Sequence, residues 1–166
     1  AKRRMTFQGL DLATKTSRLR DKLIFKFRNI KDFNDFNNKV IMEGNINRSD
    51  VGIRELMYFA PALKKSQFFV ENASKKINVD GLLVGRVNSL NSPDMSFKFG
   101  DEIAVTGRMN SRNLADVDNA LLNLDLSEFS VTVATLNQLI PGFTPPGNFY
   151  KLGRVKFDGR FDGYFQ

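Results

Sequence analysis

Apolar and polar residues alternate with a period of two along most of the chain. The segments KLIFKF, MSFKF and LLNLDL each place every second apolar side chain on one side of an extended backbone. Alternation of this kind predicts β-strands with one apolar and one polar face. Turns rich in Asn, Asp, Ser and Gly separate the segments, and KFGDEI predicts a hairpin that turns at Gly100 and Asp101. The pattern therefore predicts a mainly β protein built on an antiparallel sheet.

Two segments change to helical spacing. In SDVGIRELMYFAPAL, apolar residues recur every three or four positions from Ile53 to Ala60, and in SVTVATLNQLIPGF they do so from Thr135 to Ile140. The residues that follow are Pro61 and Pro141, and a proline ends or bends a helix because it lacks the backbone N–H. The sequence therefore predicts two short helices, each ended by its proline.

The two predicted helices lie 80 residues apart, and the same shift aligns other apolar positions. Similar stretches, VDGLLVG (79–85) and FDGRFDG (157–163), follow the two prolines. Self-similarity at a fixed spacing indicates concatenated units. We predict two repeats of about 80 residues, 1–87 and 88–166, in one continuous structure.

The repeated strand alternates apolar residues with glycines on one face. Glycine weakens a strand, and in this position it usually marks a bulge or a bend. One interpretation is an ordinary core beneath a bent sheet. The other is a strongly curved, U-shaped sheet with an apolar groove, in which glycine makes room. We predict that the groove is lined by Ile77, Val79, Leu83, Val87, Val155, Phe157, Phe161 and Phe165, and that the sheet is bent by Gly81, Gly85, Gly159 and Gly163. The charged Asp158, Arg160 and Asp162 should face water.

The composition argues against catalysis. The chain has no His and no Cys, so it lacks imidazole bases, thiolate nucleophiles and the usual zinc ligands. The glycine-rich motifs that bind phosphate groups are also missing. The 16 Phe and the absence of Trp favour apolar partners, because the phenyl ring has no polar group. We therefore expect no enzyme activity, no cofactor and no metal site.

The chain is basic, with a net charge of +7 and its positive residues concentrated in the first 31. This balance permits nucleic acid or anionic lipid as a partner, although a solvated surface is the commoner meaning of a charge run. The start, AKRRMTF, has no initiator Met and no apolar signal region, so we expect an internal piece of a longer chain or a processed product.

Several stretches together resemble a known family. These are SDVGIRELMYFAPAL, LLVGRVNSL and the long segment LDLSEFSVTVATLNQLIPGFTPPGNFYKLGRVKFDGRFDG. The chain resembles the AsmA-like superfamily, and within it the TamB-type translocation and assembly proteins of Bacteroidetes. The strand motif of that family is matched by Leu152, Gly153, Val155, Phe157, Gly159, Phe161 and Gly163. The first copy, 77–87, keeps the glycines without the leading Leu-Gly.

The resemblance implies a lipid-lined β-groove within a periplasmic bridge that is anchored in the inner membrane. Such a bridge would carry phospholipid acyl chains toward the outer membrane. An outer-membrane barrel-assembly protein would be a partner, through parts of the longer chain. Two alternatives remain: a scaffold whose sheet edges pair with client β-strands, and a basic module that binds nucleic acid, although we expect no nucleic acid partner.

Overall fold

The computed structural model describes residues 3–114, 116, 119–140, 142 and 144–164, with only the backbone at residue 62. Eight strands form one antiparallel sheet, and each strand pairs with its neighbours in sequence. This confirms the predicted mainly β, antiparallel architecture. The strands are β1 (Arg3–Ala13), β2 (Arg18–Phe27), β3 (Ile41–Gly52), β4 (Lys76–Arg86), β5 (Ser89–Phe99), β6 (Ile103–Arg112), β7 (Leu121–Thr132) and β8 (Arg154–Tyr164). Over the described residues the sheet stays open, with β1 and β8 at its edges.

Short helices fill the longer connections between strands. The α-helices are α1 (Phe36–Lys39), α2 (Ile53–Phe59), α3 (Gln67–Glu71) and α4 (Val133–Leu139), and 3-10 helices span Ile30–Asp35, Pro61–Lys65 and Gly147–Leu152. Helices therefore lie at both predicted places. The prediction of only two helices was wrong, because the connections around them also become helical.

The ends of the two predicted helices differ in detail from the prediction. Helix α2 ends at Phe59, and Pro61 then starts the following 3-10 helix. Helix α4 begins at Val133, two residues earlier than predicted. The reason is an N-cap: the Thr132 hydroxyl accepts a hydrogen bond from the backbone N–H of Thr135 at 3.2 Å. Pro141, the predicted end of α4, lies outside the described residues.

The best-packed side chains lie at the two ends of the sheet. At one end, Ile53 and Met57 of α2 pack with Phe68 of α3 and Phe99 of β5. At the other end, phenyl rings from β2 meet rings from the helical connection that follows, in contacts such as Phe27 with Phe33 at 5.1 Å between ring centres. The helices thus act as caps on the ends of the strands.

Each of the two predicted helices is tied by hydrogen bonds to a hairpin turn. The Glu55 carboxylate of α2 accepts hydrogen bonds from the hydroxyls of Ser17 at 2.5 Å and Thr14 at 2.6 Å, in the β1–β2 turn. These donors hold the pKa of Glu55 at about 2, below its usual 4.5. In α4 the helix supplies the hydroxyl and the turn supplies the carboxylate. The Thr135 hydroxyl donates a hydrogen bond to the Glu102 carboxylate of the β5–β6 turn at 2.9 Å. Helices and turns therefore brace each other at the same end of the sheet.

Every pair of neighbouring strands has a register shift, and together these shifts form a line across the sheet. We call it the bulge line. Each odd-numbered strand carries an extra residue there: Gly9 in β1, and one residue in each of 47–48, 93–94 and 127–128 in β3, β5 and β7. Each even-numbered strand has a residue with positive φ opposite, namely Asp21, Gly81, Gly107 and Gly159. Such bulges bend a strand locally and increase its twist.

Candidate functional site: the apolar face of the sheet

One face of the sheet is apolar from β3 to β8, and we call it the apolar face. Direct partners in antiparallel strands present their side chains on the same side, so the register shows which residues share this face. One row follows the order Phe157, Phe129, Val105, Phe97 and Val79 across β8 to β4. The next row toward the helices α2 and α4 adds Val155, Val131, Ile103 and Phe99. The alternating segments predicted from sequence thus form one surface.

A third row on the apolar face alternates glycine with large side chains. It contains Gly159, Leu126, Gly107, Met95, Gly81 and Ile46, in order from β8 to β3. The large residues are buried, with exposed fractions of 3% for Met95, 4% for Ile46 and 6% for Leu126. Each lies between two glycine-bearing strands or at the end of the row. The glycines therefore give the large side chains the space that they occupy.

The structure brings together most of the residues predicted to line a groove. Ile77, Val79 and Leu83 of β4 lie on the apolar face, as do Val155, Phe157 and Phe161 of β8. Val79 and Phe157 even share one row, four strands apart. Val87 is buried just after the end of β4. Phe165 lies outside the described residues. A groove as such stays a prediction, whereas the shared face is observed.

The apolar face is partly open to solvent. Phe157 and Phe161 are 47% and 45% exposed. Between them and β4, Phe129, Val105 and Phe97 are half-buried rather than buried. A second layer packed on the face would bury these side chains, as the helices bury Phe99 at the end of β5. The apolar face is therefore accessible at β8 and partly accessible along the row from Phe129 to Phe97, whereas Leu126 and Met95 of the neighbouring row are buried.

The four predicted sheet-bending glycines fall into two groups. Gly81 and Gly85 have φ near +130°, and a methyl group at either position would overlap a carbonyl oxygen of β5. Gly159 and Gly163 lie beside phenyl rings of their own strand, and Gly159 also has a positive φ of +144°. A methyl group at these positions would be 2.9 Å from Cζ of Phe157 and 3.2 Å from Cζ of Phe161, respectively. In β8 the glycine thus makes room for an aromatic ring, and in β4 for a neighbouring backbone.

Sequence reasoning missed Gly107 of β6. This residue has φ of +152°, lies opposite Leu126, and has no room for a side chain because the Asp125 carbonyl is adjacent. Its role equals that of Gly81. A signal was present, since Gly107 follows the alternating IAVT of β6, but the segment lies outside the repeated Asp-Gly stretches.

The opposite face of the sheet is polar. One of its rows contains three asparagines and an aspartate, in which Asn91 donates to Asn110 at 2.7 Å and Asn123 donates to Asp162 at 2.6 Å. Arg160 lies 3.9 Å from Asp125 in an exposed ion pair. Asp158, Arg160 and Asp162 are all exposed on this side, as expected. The sheet is therefore amphipathic, although Leu82 and Val84 add an apolar spot to the polar face.

Comparisons with known protein families, with curated proteins and with solved structures find no match for this chain. None of the described helices is long and apolar enough to span a bilayer.

Proposed function

We propose that this chain is a non-enzymatic segment of a periplasmic bridge that carries phospholipid between the inner and outer membranes. The apolar face would contact the acyl chains as they pass. The observation that carries the proposal is the combination of continuity and openness: apolar rows run across β3 to β8, yet Phe157 and Phe161 stay about half exposed. The helical segments also expose apolar side chains, such as Phe59, Val70 and Leu152, but these lie outside the rows that the strand register defines.

The energetics favour a lipid as the guest of this surface. Apolar area in water carries a free-energy penalty of roughly 25 cal/mol per Å², for the protein and for an acyl chain alike. Contact between the two removes both penalties along the whole path. Phenylalanine suits such a surface because the ring has no polar group that needs a partner. Transport along the face would need no catalytic residue.

The bulge line supports a curved form of the sheet as part of this proposal. Because a bulge bends its strand, a bulge on every odd-numbered strand along one line would curl the sheet about that line. A U-shaped groove would then have the apolar face on its inside. In the same proposal, 1–87 and 88–166 are two repeats, each with four strands and with a helix placed after its third strand.

Photo-crosslinking tests the proposed contact with lipid. A photoreactive phenylalanine analogue at position 157 or 161 should capture phospholipid, both in cells and with the purified chain in phosphatidylethanolamine and phosphatidylglycerol vesicles. The same analogue at position 160 or 162, on the polar face, is the matched control and should not. Lipid adducts at none of the four positions, or equally at all four, would contradict the proposal.

A substitution separates a lipid-binding surface from an ordinary core. Phe161→Asp should abolish lipid capture by an analogue at position 157. It should leave the urea midpoint close to that of the parent, because the side chain is 45% exposed. Outright unfolding of this variant would instead indicate a packed core.

Competing functions predict other results. A nucleic-acid-binding module should bind DNA or RNA with an affinity that falls steeply as salt is added. A scaffold for outer-membrane barrel proteins should retain client strands but no lipid after purification. Native mass spectrometry of the purified chain, followed by lipid extraction, distinguishes these from the lipid bridge.

A further inference from the structure

The polar face carries a row of amides across β5 to β8, which we call the amide row: Asn91, Asn110, Asn123 and Asp162. Asn123 is half-buried and the other three residues are exposed. Hydrogen bonds join the row in pairs, from Asn91 to Asn110 at 2.7 Å and from Asn123 to Asp162 at 2.6 Å. These bonds orient the planar groups, so the row presents its remaining polar atoms at defined places.

The bonds within the amide row leave at least one side-chain polar atom of each residue without a partner among the described residues. These atoms are the carbonyl oxygen of Asn91, the amide nitrogen of Asn110, the carbonyl oxygen of Asn123 and the second carboxylate oxygen of Asp162. The row thus offers an acceptor, a donor and two acceptors in succession. A hydroxyl group both donates and accepts, so a ligand with many hydroxyls can bond to all of them.

The amide row has the regular spacing of a sheet. Neighbouring strands lie about 4.8 Å apart, so the four residues span about 14 Å. A pyranose unit of a linear polysaccharide is nearly as long as one strand spacing, so a sugar chain laid along the row would repeat with it. The row lines a shallow depression of about 470 Å³, together with Ser89 and Arg112. This volume falls within the range of small-ligand sites, roughly 300 to 1,000 Å³.

Tyr164 adds an aromatic ring beside the amide row. It follows Asp162 by two residues in β8, so both side chains lie on the polar face, and it is 61% exposed. Its ring is an apolar surface that ends in a polar hydroxyl. A sugar ring likewise has an apolar side made of C–H groups and a rim of hydroxyls. The polar face therefore supplies a stacking surface and hydrogen-bonding groups within one patch.

The charges around the amide row cancel. Within β5 to β8, the row and the residues next to it contribute three positive and three negative side chains: Arg108, Arg112, Arg160, Asp94, Asp125 and Asp162. Arg160 is already paired with Asp125 at 3.9 Å. A polyanion such as nucleic acid would meet the carboxylates, so this balance favours an uncharged ligand.

We infer that the amide row and Tyr164 bind a neutral polysaccharide chain that lies across β5 to β8. The amides bond to its hydroxyls, and Tyr164 stacks on one sugar ring. Further strands at either edge of the sheet would leave this site open, because strands pair through their backbone edges and not through a face. The inference depends on the polar face and holds whether or not the apolar face binds lipid.

Isothermal titration calorimetry of the purified chain with cellohexaose and with the hexamer of N-acetylglucosamine tests the site. At least one of the two sugars should bind in a saturable way. Asn110→Ala/Asn123→Ala should weaken that binding by about tenfold, because two hydrogen-bonding groups are lost. Tyr164→Ala should weaken it several-fold, whereas Tyr164→Phe should not, because the ring keeps its stacking surface.

The matched control is Asn45→Ala/Asn78→Ala, which removes two exposed asparagines of the same face on β3 and β4 and should bind like the parent. Phe161→Asp should also bind the sugar like the parent, so a failure of the lipid proposal and a failure of this inference are distinguishable. Circular dichroism should give the same spectrum for all variants. No saturable binding of either sugar, an equal loss in the control variant, or tighter binding of heparin or single-stranded DNA than of both sugars would overturn the inference.

Discussion

The strands β4 and β8 carry the same pattern of apolar residues and glycines, yet they differ in what surrounds them. Val79 of β4 has a strand on each side and is 6% exposed, whereas Phe157 of β8, in the same row, is 47% exposed. The polar side differs too, since Asp80 accepts a hydrogen bond from the backbone N–H of Arg48 at 2.6 Å and Asp158 faces solvent. An alternating strand is thus core or surface according to its neighbours in the sheet.

The largest difference in stability between matched variants of β4 and β8 should come from a buried charge. Val79→Asp should lower the free energy of unfolding by about 4 kcal/mol, because the carboxylate loses its water and gains no partner. Phe157→Asp, the matched change in β8, should lower it by about 1 kcal/mol. Urea titration followed by circular dichroism measures both values. Equal losses would mean that β8 is as tightly packed as β4.

Substitutions of the glycines should have the next largest effect on stability. Gly81→Ala should destabilise the protein by about 3 kcal/mol, because the methyl group meets a backbone carbonyl and φ is +130°. Gly163→Ala should cost less than about 1 kcal/mol, since only the phenyl ring of Phe161 has to move. The same urea titrations give the ranking. A larger loss for position 163 would contradict our explanation of the two glycine groups.

The aspartates Asp80 and Asp158, which precede Gly81 and Gly159, sharpen the comparison further. Asp80→Ala should lower stability by about 1 to 2 kcal/mol, because the backbone N–H of Arg48 in the β3 bulge loses its acceptor. Asp158→Ala should change it by no more than about 0.5 kcal/mol. Thermal unfolding of the two variants beside the parent shows whether this order holds.

The remaining prediction concerns pH, and Glu55→Gln probes the helix anchor of the first half of the chain. The folded-state pKa of Glu55, about 2, lies below its usual 4.5. Its stabilisation is therefore complete above pH 4.5 and is lost as the pH falls from 4.5 through 2. The parent should lose stability over this window, and the variant should lose less. Identical pH profiles of the unfolding midpoint would show that the anchor contributes nothing.

Local patterns in the sequence predicted the strands and the place of helix α2, because alternation and helical spacing are properties of neighbouring residues. They did not predict the bulge line. In β7 the apolar positions change from even to odd numbers between Leu126 and Phe129, which on its own suggests the end of a strand. The extra residue lies next to the pairs that Leu126 forms with Gly107 and Gly159 on the adjacent strands, and such pairing is not local.

The helical segment before β3 was missed although it carries a signal. Asn29 and Asp32 form a capping box, in which the Asp32 carboxylate accepts a hydrogen bond from the backbone N–H of Asn29 at 3.2 Å.

The exposure of the candidate site could not be predicted at all. Nothing within FDGRFDG indicates that β8 lies at an edge, since that follows from the order of all eight strands.

The order of the strands also determines how the molecule would respond to a pulling force. Inter-strand hydrogen bonds run perpendicular to antiparallel strands, and Arg3 and Tyr164 lie on opposite edges of the sheet. Tension between these residues would therefore load one strand pair at a time and peel the edge strands first. The protein would yield by gradual unzipping, with the inner strands still paired, rather than by a single rupture.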